Sequence, residues 1–120
     1  MDKIFEKTIR IKSYEVDFRN RLKISRLLNL LQECAALHSY KLNASYEELK
    51  NQNHIWALSR IYLKINKLPR WNEEIIIRTW PKGVSKLFGL RDFLITDKNF
   101  NDLIQVTAST ADNDITVRWK

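Results

Sequence analysis

The chain has 120 residues, with 21 Lys and Arg against 14 Asp and Glu, for a formal net charge of +7 at pH 7. Its 44% hydrophobic content is too high for a disordered chain, and its length allows one ordinary core rather than two. No apolar run approaches the ~20 residues that span a bilayer, the N-terminus becomes charged again too soon for a signal peptide, and the single Cys34 excludes an intrachain disulfide framework.

A reducing, cytoplasmic setting is the expectation. Two glycines leave little material for a phosphate-cradling loop, and no dinucleotide or P-loop pattern occurs, so no cofactor is expected. The positive charge fits nucleic acid, an anionic membrane or an acidic protein. Its spread along the chain, without a run of five like charges, does not choose among them.

Residues 5–16 alternate in polarity, with Phe5, Ile9 and Ile11 on one parity and Tyr14 and Val16 on the other. This predicts a half-buried strand with a bulge near Ser13. Residues 17–23 are polar and read as a loop. Over 24–40 the period becomes helical: Ile24, Leu27, Leu28, Leu31, Ala35 and His38 share a face, widened by Leu30, Cys34 and Leu37. A helix so broadly apolar is enclosed by other elements. Ser25 is the expected N-cap. Ser45-Tyr46-Glu47-Glu48 has the capping-box pattern, which predicts a short helix over 46–52.

From residue 54 the pattern is strand-like. Strands are predicted over 54–66, 73–80, 85–96 and 102–110, with turns at 68–72, 81–83 and 97–101. Strands joined by hairpins pair antiparallel. One such sheet has one long helix to cover its apolar face, so it curls around that helix. The predicted class is therefore α+β, a hotdog fold: an antiparallel sheet of about five strands wrapped on one helix, as a single domain over 1–120. An open sheet edge favours a homodimer or higher hotdog assembly.

Candidate chemistry is sparse. Cys34 and His38 lie at i, i+4, the spacing of a nucleophile and its base. A core thiol and a histidine near the helix C-terminus explain them better. Glu33 is a weak candidate general base, weighed against a polar strip it forms with Arg26, Asn29 and Gln32. Asp17 is the other weak candidate, against an ordinary turn role. Two isolated histidines give no metal site. Aromatics interleaved with basic residues fit an RNA-binding sheet, but the glycine-aromatic signature of such sheets is missing.

Several segments then occur in order: Ile24-Ser25-Arg26-Leu27-Leu28-Asn29-Leu30-Leu31-Gln32-Glu33, Trp56-Ala57-Leu58-Ser59-Arg60, Arg70-Trp71-Asn72-Glu73-Glu74-Ile75, Thr79-Trp80-Pro81-Lys82-Gly83 and Leu90-Arg91-Asp92-Phe93. Together, over about residues 5–110, the chain resembles the N-terminal hotdog domain of bacterial and plant acyl-acyl carrier protein thioesterases. The resemblance implies hydrolysis of the thioester joining a fatty acyl chain to acyl carrier protein, which releases free fatty acid. It implies two hotdog domains in tandem, the first giving much of the acyl pocket. The catalytic groups belong mainly to the second, on an Asp-x-Asn-x-His-x-Asn motif. In the corresponding loop here Asp17 matches the Asp, but Arg19 and Arg21 stand where Asn and His would be. Arginine stays protonated and is no base.

The resemblance and strand parity together give an acyl lining of Leu31, Ala35, Trp56, Leu58 and Phe88. Lys82, Lys86 and Arg91 are the expected contacts for acidic acyl carrier protein. Neither a nucleic-acid nor a membrane partner is expected. A non-catalytic acyl-binding or assembly module is the alternative, because no second repeat follows. The segment 111–120 departs from the family, with Ile115–Trp119 as a displaced remnant of its expected strand.

Overall fold

The computed structural model describes residues 4–41, 60–81, 90–109 and 114–119. Their elements are β1 (Phe5–Arg10), a 3-10 turn (Ser13–Glu15), α1 (Ile24–Lys41), β2 (Arg60–Ile65), β3 (Glu74–Pro81), β4 (Leu90–Asp97), β5 (Asp102–Ser109) and β6 (Asp114–Trp119). The predicted helix over 46–52 lies outside the described residues.

The strands form one sheet in the order β1-β3-β4-β5-β2-β6. All neighbours pair antiparallel except β2 and β6, which run parallel from Arg60↔Asp114 to Ile65↔Trp119. The sheet thus has six strands and is mixed, one strand beyond the sequence expectation. The segment read as a remnant is that sixth strand.

α1 packs across β3 and β1. Its Leu27, Leu31, Cys34 and Ala35 are fully buried, against a sheet face built from Leu63, Ile75, Ile77, Phe93, Ile95 and Ile104. These positions follow the two periods seen in the sequence, roughly every 3.6 residues on the helix and every second residue on the strands. Each buried Leu, Ile or Phe of this set stabilises the fold by about 1.5–3 kcal/mol.

Two local expectations are corrected. The shift in parity after Ile11 is not a bulge: β1 ends at Arg10 and the chain turns through the 3-10 segment, where Glu15 Oε1 accepts the Lys12 N–H at 2.9 Å. Ser25 is not the N-cap. α1 begins at Ile24, and the Lys23 carbonyl accepts the first helical N–H groups, from Arg26 and Leu27. The reason is upstream: the Val16↔Leu22 bridge closes the loop, and Lys23 N–H then bonds the Glu15 carbonyl.

Candidate functional site

The loop between β1 and α1 holds Asp17. Asp17 Oδ1 accepts the backbone N–H groups of Arg19 at 2.9 Å and Arg21 at 3.0 Å, and Oδ2 lies 3.5 Å from the Arg21 guanidinium. The Arg21 backbone bond is the main reason its carboxyl titrates below the ordinary 3.8. The turn also needs Asn20 at φ 61°, a left-handed conformation that asparagine tolerates.

The β4–β5 hairpin repeats this geometry. Asp97 Oδ1 accepts Asn99 N–H at 2.8 Å and Asn101 N–H at 3.0 Å, and Phe100 has φ 65°. The backbone bonds correspond as well: Asp17 N–H to Arg21 O and Asn20 N–H to Asp17 O, against Asp97 N–H to Asn101 O and Phe100 N–H to Asp97 O. Asp17 is therefore placed as a turn-holding carboxylate of the kind that also closes an ordinary hairpin.

On α1 the candidates separate. Glu33 is exposed, with Arg26 and Asn29 also exposed and Gln32 half-buried, so the carboxylate sits on the helix's polar strip. Cys34 is fully buried, and desolvation pushes its thiol up to about 11. It is a protonated core group at neutral pH, unsuited to nucleophilic attack.

His38 is also fully buried, and its Nδ1 lies 2.8 Å from Arg91 Nη1. Guanidinium nitrogens only donate, so Nδ1 is the acceptor and the ring proton sits on Nε2. The same Nη1 donates to Thr79 Oγ1 at 3.2 Å, and the Thr79 hydroxyl donates to the Asp92 carbonyl at 2.9 Å. Phe5 covers the imidazole, with ring centroids 5.7 Å apart. α1, β3 and β4 thus converge on a polar chain inside the core.

Arg91 is 4% exposed, and burial lowers its guanidinium to about 10. This corrects its expected role. A side chain held inside against His38 and Thr79 does not offer its charge to a carrier protein on the surface. The sequence carried the signal: Arg91 shares parity with the buried Phe93 and Ile95.

Leu31 and Ala35, expected to line an acyl pocket, are fully buried in the helix–sheet seam. Trp56, Leu58, Phe88, Lys82 and Lys86 fall outside the described residues. A cleft of about 320 Å³ opens elsewhere, on the outer sheet face, lined by Tyr62, Lys64, Trp80, Asp92, Leu94 and Thr107 among others. Among the described residues no three His, Cys, Asp or Glu side chains gather to hold a metal ion. No helix among them is long and apolar enough to cross a membrane.

Comparison with known proteins gives this geometry its family. The family model of the acyl-ACP thioesterase N-terminal domain matches residues 2–110. The chain belongs to this family. A chloroplastic palmitoyl-acyl carrier protein thioesterase of Cuphea hookeriana is 26% identical over 112 residues, covering 88% of this chain and 27% of the relative. An oleoyl-acyl carrier protein thioesterase of Arabidopsis thaliana is 28% identical over 93 residues, covering 72% and 25%. Among solved structures, an acyl-ACP thioesterase of Bacteroides thetaiotaomicron superposes with a TM-score of 0.82 at 28% identity, over 89% of this chain and 44% of that one. A putative oleoyl thioesterase of Lactobacillus plantarum, at 22% identity and a TM-score of 0.82, shares the fold. The fold is the expected α+β hotdog. The chain spans about a quarter of the curated relatives and less than half of these solved structures. β6 lies wholly beyond the matched residues.

Proposed function

We propose that this chain is the N-terminal hotdog unit of a fatty acyl-acyl carrier protein thioesterase. The match over residues 2–110 carries this reading. In the reaction, water adds to the thioester carbonyl, the C–S bond breaks with its electron pair going to sulfur, the departing thiolate of the carrier arm takes the proton from the water, and a free fatty acid leaves. The chain's part is to hold the acyl group against the helix–sheet layer. Leu31 and Ala35 contribute from α1, with Trp56, Leu58 and Phe88 as the rest of the proposed lining.

The loop that corresponds to a catalytic loop is occupied with its own turn. Asp17 accepts two backbone N–H groups and faces Arg21, and Glu33 is exposed. The attacking water is therefore activated by groups of a second hotdog unit, either further length of the enzyme or another copy in a homodimer or higher assembly. The setting is the cytoplasm, without a cofactor.

The test is release of free fatty acid from acyl carrier protein thioesters, paired with binding of the same thioesters. Saturable binding is expected, with hydrolysis whenever a second unit completes the site. Glu33→Gln should leave hydrolysis within about twofold of the parent, since an exposed carboxylate outside the reacting atoms contributes little to the transition state. A chain that neither binds nor hydrolyses these thioesters overturns the reading, and a loss beyond tenfold in Glu33→Gln overturns the assignment of catalysis to the second unit.

A further inference from the structure

The end of the molecule around the β1–α1 loop carries a surface that the proposed function has not used. Hydrogen bonds join two distant segments there: Leu22 N–H to the Pro69 carbonyl at 2.8 Å, Trp71 N–H to Asn20 Oδ1 at 3.0 Å, and Asn72 N–H to the Ile11 carbonyl at 2.8 Å. Three aromatic rings stand out from this end. Phe18 is 94% exposed, Tyr14 59% and Trp71 55%.

Cations surround them. Lys12, Arg19, Arg21, Lys23, Arg26 and Arg70 are all exposed. The Arg19 guanidinium lies 5.5 Å from the Phe18 ring centre, and Lys12 and Arg26 lie 5.8 and 6.0 Å from that of Tyr14. The carboxylates of the same segments are turned to backbone work. Glu15 accepts Lys12 N–H, Asp17 accepts Arg19 and Arg21 N–H, and Glu73 accepts Arg70 N–H. With these six cations against three carboxylates, one of them paired with Arg21, the surface is positive, aromatic at its centre and fixed in shape by the Asp17 turn.

We propose that this end docks an acidic protein face. Resting on the function proposed above, that face is the acyl carrier protein's. Exposed Trp, Tyr and Arg side chains in a preorganised patch are the composition of a protein-binding hot spot. Charge complementarity selects the partner. A second copy meeting this end with its own would set cations against cations, whereas an acidic face is attracted and steered onto it. Arg91, being buried, drops out of the expected Lys82–Lys86–Arg91 contact group.

The test is equilibrium binding of unacylated acyl carrier protein to the full chain, by calorimetry at low and physiological salt. Phe18→Ala, Trp71→Ala, Arg19→Glu and Arg70→Glu should each weaken binding by about tenfold, the scale of a hot-spot truncation. The charge reversals should also flatten the salt dependence. Arg118→Glu, at the opposite sheet edge, should bind as the parent does. A parent that binds while all four variants bind equally well overturns the docking site. So does a parent that ignores the carrier protein but binds vesicles containing phosphatidylglycerol, or RNA, through Phe18. Hydrolysis or binding of a small acyl-pantetheine thioester, which carries no protein, reports on the proposed function separately.

Discussion

Thr79 places one hydroxyl between two demanding neighbours. Its oxygen accepts from the Arg91 guanidinium, and its proton goes to the Asp92 carbonyl. A buried cation is tolerated only where its hydrogens find acceptors. Thr79→Val keeps the shape, removes one acceptor from Arg91 and takes the donor from Asp92. We expect a loss of about 1–3 kcal/mol, the usual cost of a broken buried hydrogen bond. It would be read as a lower urea midpoint with an unchanged slope. A variant as stable as the parent would mean that the chain from His38 through Arg91 to Thr79 is not a folding constraint. This scale also shows where sequence reading succeeds and fails. On β3 and β4 the alternating positions Ile75, Ile77, Phe93 and Ile95 face inside. Applied without regard to charge, the same alternation places Arg91 inside too. For Arg91 the carrier-contact expectation let residue type overrule parity, while Lys82 and Lys86 lie outside the described residues. His38 as Arg91's partner was beyond reach, since the two lie 53 residues apart and their meeting depends on how α1 crosses the sheet.

Among the elements, the β1–α1 loop and the β4–β5 hairpin solve one problem in the same way. An aspartate opens each turn and its carboxylate gathers the N–H groups two and four residues on. In both, the carboxyl titrates below its ordinary 3.8, led by Arg21's backbone in one and by the Asn101 side chain in the other. A depressed folded value means that the ionised form supports the fold. The contribution of Asp17 is therefore complete above about pH 4 and fades as the pH falls through its lowered folded value. Asp17→Ala should be less stable than the parent at neutral pH, and the gap should close as the solution is acidified below that range. Paired urea titrations across the pH scale test this, and a gap that persists in strong acid would contradict the carboxylate's role. The turn itself was legible, because Asp, Asn and charged residues cluster over 17–23. Its closure by the Val16↔Leu22 bridge was not, and that bridge is why the helix starts before Ser25.

For the molecule as a whole, the question is how the sheet ends. The turn at 68–72 does not join β2 to β3 as a hairpin, since β2 crosses over to pair with β5. The hairpin series over β3, β4 and β5 does follow from short-range pattern. β6 does not, because it returns across β2 to pair in parallel, a choice set by the sheet's free edge rather than by local turn chemistry. On β6, Val117 packs against the core, while Trp119 is 57% exposed. Pairing from Arg60↔Asp114 to Ile65↔Trp119 covers the backbone groups of β2 that face away from β5. An uncovered strand edge is a template for another chain. Removing residues 111–120, which lie outside the family match, should therefore expose β2 along its length and promote edge-to-edge association. Sedimentation of the shortened and full chains at equal concentration tests this. The shortened chain should form a larger species, with a Lys or Pro placed in β2 at Tyr62 reversing the change. If both chains sediment alike, β6 is an appendage to the sheet rather than the cover of its edge.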